Sequence, residues 1–71
     1  MRYLLKTDIC TFEIRHCGQY WELFADDECY GRSINPDSLA DNVSNWATGH
    51  PEWDSAFLLV SGSLGDWLRL P

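Results

Sequence analysis

The run TFEIRHC over Thr11–Cys17, the pair Gly18-Gln19 and the run YWELFA over Tyr20–Ala25 decide the fold. The first run alternates. Phe12, Ile14 and His16 point one way, and Thr11, Glu13, Arg15 and Cys17 point the other. Gly18-Gln19 fits a two-residue hairpin loop of type II′, because glycine supplies the positive φ at its first position. In the second run Trp21, Leu23 and Ala25 alternate with Tyr20, Glu22 and Phe24. Apolar groups on both faces predict a central strand.

Working outward, Arg2 to Thr7 reads as a preceding strand, with Tyr3 and Leu5 on one face and Leu4 and Lys6 on the other. Thr7-Asp8 reads as a turn. Downstream, Asp26-Asp27 supplies another turn, and Glu28 to Ile34 forms a fourth short run in which Gly31 marks a weakness or bulge. Consecutive strands with short loops make an antiparallel meander.

The period then changes. Asn35 is suited to capping a helix, and Pro36 at the first helical position loses no amide partner. Leu39, Val43, Trp46 and Ala47 form one apolar stripe, while Asp37, Ser38, Asp41, Asn42, Ser44 and Asn45 lie opposite. Gly49 and Pro51 predict an end at about Ala47 or Thr48. Pro51 to Asp54 reads as a turn or one helical turn, and Phe57 to Val60 as a buried strand or apolar packing. Ser61-Gly62-Ser63 is a break, after which Ser63 is placed to cap a turn holding Leu64, Trp67 and Leu68. The expected architecture is a single α+β domain over residues 1–71. It is a four-stranded antiparallel meander with one helix packed on one face, followed by an irregular Trp-containing C-terminal segment.

Composition sets the function classes. Seventy-one residues are too few for a multi-domain enzyme or a nucleotide-binding α/β fold. A 45% hydrophobic content with four Trp is too apolar for a disordered chain. Trp21 and Trp46 fit the core pattern; Trp53 and Trp67 fall in less regular stretches, where they close the core from below or one is left at an interface, and core is the expectation for at least three of the four. The residues Met1 to Cys10 show no leader pattern, and the longest apolar run, Ala56 to Val60, is far too short to span a bilayer. A cytoplasmic protein of a bacterial cell with reduced thiols is expected.

Cys10, Cys17 and Cys29 contain no C-x-x-C pair. His16 adjoins Cys17, but neighbouring strand residues face opposite sides, so no metal and no cofactor are expected. A small Cys/His-dependent enzyme or metal protein using Cys29, or His16 with Cys17, stays open as an alternative, although nothing in the sequence supplies an oxyanion hole. No glycine-rich phosphate loop is present.

What remains is acid. Eleven Asp and Glu against five Lys and Arg give a net charge of −6. Such a domain repels nucleic acid and anionic membranes and suits a basic protein surface. The candidate partner-binding residues are Glu13, Glu22, Asp26, Asp27, Glu28, Asp37 and Asp41, with Trp53 as an apolar contact. On one face they would present negative charge in the manner of DNA phosphates; spread evenly, they would only keep the chain soluble. A homodimer through a strand edge or Trp53 is the other partner expectation.

Thr48-Gly49-His50-Pro51-Glu52-Trp53-Asp54 and Leu64-Gly65-Asp66-Trp67 give a T-G-x-x-x-W-D … L-x-x-W tail. With the Leu39 to Val43 helix, Tyr20 to Phe24 and Tyr30-Gly31, this tail resembles small uncharacterised bacterial and phage proteins. The resemblance implies a fold and no chemistry. In type alone, a very small acidic single domain without a catalytic motif is similar to anti-CRISPR inhibitors, which implies a non-enzymatic protein that blocks a nucleic-acid-binding surface of a bacterial complex. The alternative is a housekeeping bacterial domain acting as a homodimer.

Overall fold

A computed structural model describes residues 1–71. Its elements run β1 (Arg2–Lys6), β2 (Thr11–Cys17), β3 (Tyr20–Ala25), β4 (Glu28–Ser33), α1 (Pro36–Ser44), α2 (Pro51–Asp54), a 3-10 turn (Leu64–Asp66) and β5 (Leu68–Leu70). The fold is α+β, with the strands in one antiparallel sheet of order β4-β3-β2-β1-β5. The sheet therefore has five strands, not the expected four: β1 to β4 form the meander and β5 joins it from the C-terminal end of the chain. Leu68 pairs with Leu4 and Leu70 with Arg2, so β5 covers the β1 edge. Leu68 belongs to this strand rather than to a helical turn, and Ser63 precedes the 3-10 turn without a side-chain cap.

The hairpin turns follow their chemistry. Gly18 takes φ +62 between the paired Cys17 and Tyr20. Asp26 (φ +49) and Asp27 (φ +71) are both left-handed between Ala25 and Glu28, as a type I′ turn requires. Asp26 fits because its Oδ1 accepts the Thr11 amide at 3.0 Å. In β4 the register shifts opposite Leu23 and Phe24, leaving Tyr30 as an extra residue beside Gly31. This bulge lies on an edge strand, where it hinders pairing with another sheet.

One sheet face is covered. Tyr3, Leu5, Phe12, Ile14, Trp21, Leu23 and Ala25 point toward α1, and Leu39, Ala40 and Val43 of the helix meet them. Asn35 Oδ1 accepts the Asp37 amide at 2.9 Å, and Pro36 opens the helix. The helix closes earlier than expected. Trp46 turns left-handed (φ +55), its amide donates to Val43 O and the Ala47 amide donates to Asn42 O. These are the two bonds of a Schellman cap, built here on tryptophan instead of glycine. Ala47 consequently leaves the apolar stripe and is exposed.

All four tryptophans pack in or against the core, but their depths differ from the pattern. Trp53 and Trp67, from the irregular stretches, are buried, while Trp21 and Trp46 are half-buried at the core margin. Trp53 meets Phe12 edge-on at 5.0 Å between ring centres. Its indole N–H donates to Val43 O at 2.9 Å, tying the single turn of α2 to α1. Phe57 to Leu59 form neither a strand nor core packing: all three are exposed, and only Val60 packs against the core.

Candidate functional site

The two sides of the sheet differ in charge. Across the face that no helix covers, the register aligns Leu70, Arg2, Arg15, Glu22 and Arg32 in one row. Leu68, Leu4, Glu13, Phe24 and Cys29 form the next row. Four of the five basic residues, Arg2, Lys6, Arg15 and Arg32, lie on this open face. The carboxylates sit beneath them. Glu13 is 11% exposed under Arg2 (3.4 Å) and Arg15 (2.8 Å), and Glu22 is 18% exposed under Arg32 (3.3 Å). Arg15 also spreads over the Phe24 ring at 4.1 Å and reaches Asp27 at 3.0 Å. The Arg15 hydrogen bond is the main influence holding the Glu13 carboxyl below its usual range, against the opposing effect of burial.

Glu13 and Glu22 therefore present no free negative charge, because alternation along β2 and β3 places them among the arginines. Trp53 is also removed as a surface contact: it is fully buried under α1. Asp27 lies at the rim, paired with Arg15.

The other carboxylates lie off the open face. The hairpin register puts the turn of Asp26 and Asp27 at the same end of the sheet as the loop after β1, which holds Asp8. Glu28 starts β4 at this end, and its Oε2 accepts the Tyr30 hydroxyl at 2.8 Å. Glu52 of α2 is close enough to act on both Cys10 and Tyr30. Burial, then Asp26 and Glu52, push the Cys10 thiol up; the Glu28 hydrogen bond first, with Glu52 contributing, pushes the Tyr30 hydroxyl up. Asp8 and Glu52 are members that sequence reasoning did not select. The Asp8 signal was present in the register, since antiparallel pairing brings alternate turns to one end. Asp37 and Asp41 are exposed on α1 and do not join this end.

The T-G-x-x-x-W-D run is a structural clasp. Asp54 accepts the Thr48 amide and hydroxyl through Oδ1 (3.1 and 2.8 Å) and the Gly49 amide through Oδ2 (2.8 Å). Burial opposes ionisation of Asp54, but these bonds and nearby His50 together hold its carboxyl below the usual range. His50 Nδ1 accepts the Trp53 amide at 3.2 Å and caps α2.

For nucleophilic or metal chemistry, His16 and Cys17 lie on opposite faces of β2, with His16 stacked on Trp21 at 4.5 Å. Cys29 Sγ lies 3.8 Å from Glu22 Oε2. No three His, Cys, Asp or Glu side chains converge as a metal site, and no pocket opens in the surface. No helix is long and apolar enough to cross a membrane. No family model matches the chain, and neither curated proteins nor solved structures give a significant match.

Proposed function

We propose that this chain is a non-catalytic interaction module that docks its acidic end on a basic protein surface. The observation that carries the reading is the segregation of charge. Eight of the eleven carboxylates, all but Glu13, Glu22 and Asp27, lie off the open sheet face, and Arg69 is the only basic residue that also lies off it. Asp26 and Glu52 act on the Cys10 thiol, and Glu28 and Glu52 act on the Tyr30 hydroxyl, so part of this charge is concentrated. Such an end attracts lysine- and arginine-lined surfaces, including those that hold nucleic acid. The finer form of the proposal is an anti-CRISPR-like inhibitor, of phage origin and acting in a bacterial cytoplasm, that occupies a nucleic-acid-binding surface of a bacterial complex. Small size and net charge support that form.

The test is capture from bacterial lysate at low salt, followed by elution with rising salt and identification of what is released. One basic nucleic-acid-binding protein or complex is expected. Its capture should be lost when Asp26→Asn, Glu28→Gln and Glu52→Gln are combined, and retained in Glu22→Gln. Salt-independent capture, or capture indifferent to the triple variant, would refute the acidic end as the contact.

A further inference from the structure

Two surfaces have no partner within the chain, and their chemistries are opposite. The first is the loop Phe57-Leu58-Leu59, exposed throughout, with Leu59 at 88%. It is held in place from below. The Trp46 indole N–H donates to Leu58 O at 2.8 Å, and the Trp46 and Phe57 rings meet edge-on at 5.2 Å. Both residues adopt left-handed backbone (φ +55 and +54), which is unfavourable for aromatic side chains. Acid lies beside the loop: Ser61 donates to Asp66, and a Cβ on Gly62 would stand 3.6 Å from Asp41 Oδ1. The second surface is the open sheet face. There Leu4, exposed Leu68 and Leu70 form an apolar strip on the β1–β5 side, and Arg2, Lys6, Arg15 and Arg32 outnumber Glu13, Glu22 and the rim residue Asp27, so the face keeps a positive surplus.

We infer that the occupant of each surface is a second copy of this chain, the Phe57–Leu59 loop of one copy seating on the open sheet face of the next. Apolar side chains then meet apolar side chains, and Asp41 and Asp66 approach the arginines. A symmetric contact is disfavoured on either surface, because loop against loop opposes acid to acid and face against face opposes guanidinium to guanidinium. Like charge on the whole molecule slows encounter, but at physiological ionic strength it is screened beyond about 8 Å, so contact charges decide. A head-to-tail contact leaves one free loop and one free face, and it extends until a ring closes. This contact is independent of the acidic end, and the variants that test it leave Asp26, Glu28 and Glu52 intact.

Sedimentation equilibrium provides the test, over about 10 μM to 1 mM, the range of weak contacts. The weight-average mass is expected to rise beyond that of a dimer. Leu59→Asp and Leu68→Asp alter exposed side chains on opposite surfaces, and each is expected to weaken association at least about tenfold. Mixed in equal amounts, the two variants should recover a dimer and stop there, since one keeps a sound face and the other a sound loop. The milder Leu59→Ser and Leu68→Ser serve the same comparison if aspartate lowers the melting temperature. A wild-type chain that stays monomeric at the highest concentration would overturn the proposal. So would a variant that associates like wild type, or a mixture that recovers nothing. Binding of oligo(dT) or polyglutamate to the open face of a chain that remains monomeric would also overturn it.

Discussion

Trp53 and Trp67 are both buried indoles, yet they satisfy their polar atoms differently. The Trp53 N–H donates to Val43 O, whereas the Trp67 N–H has no acceptor within the protein. A phenylalanine at either site loses similar volume, but only at Trp53 does it break a hydrogen bond. Trp53→Phe is therefore expected to destabilise the fold by about 1–2 kcal/mol more than Trp67→Phe, measured by urea unfolding. Asp54 makes a second residue-scale prediction. Its folded carboxyl is held below the usual range and below the ordinary unfolded value of about 3.9. The resulting stabilisation is present above about pH 4 and is lost as pH falls through the folded value. Unfolding free energies measured from pH 6 to pH 2 should fall less steeply in Asp54→Asn than in the parent chain. An unchanged slope would place the acid sensitivity elsewhere, with Glu13 next, because its carboxyl is lowered in the same sense.

At the scale of elements, the turns and caps show where local chemistry and geometry conflict. The β3–β4 turn demands positive φ at two consecutive positions, and aspartate fills both. Asp27 contributes only a surface ion pair with Arg15, whereas Asp26 holds the Thr11 amide. Asp27→Gly is expected to stabilise the protein by about 0.5 kcal/mol, because Asp-Gly suits a type I′ turn and an exposed pair contributes little. Asp26→Gly should destabilise it by about 1 kcal/mol through loss of that hydrogen bond. Thermal melts of the two variants should move in opposite directions. The end of α1 is the reverse case: Trp46 keeps a left-handed cap position that suits glycine, while its ring and indole N–H hold the Phe57–Leu59 loop.

At the scale of the whole molecule, charge is sorted by side. Four of the five cations lie on one sheet face and conceal Glu13 and Glu22, while all the other carboxylates except the rim residue Asp27 lie elsewhere on the molecule. Self-repulsion at a net charge of −6 then outweighs the exposed ion pairs, which are individually weak. Stability is expected to rise by about 0.5–1 kcal/mol when monovalent salt increases from low to physiological concentration, because screening relieves the repulsion. A melting temperature that falls with salt would mean that the arginine–glutamate lattice is the larger effect.

The sequence by itself determined the parts whose causes lie within a few residues of one another. Alternation over Thr11–Cys17 and Tyr20–Ala25, the Gly18-Gln19 loop, the Asn35-Pro36 helix start and the bulge beside Gly31 all arise from local sterics and hydrogen bonding. Only the tertiary structure decided β5, because three residues from Leu68 to Leu70 carry no readable period and become a strand only where the β1 edge awaits them. It also buried Trp53 and Trp67 while leaving Phe57 to Leu59 in water, since exposure depends on what covers a side chain and not on its hydropathy. The distribution of charge was legible only in part for the same reason. Counting charges gave the sign of the surface, but the strand register determined which carboxylates face solvent and which lie beneath arginine.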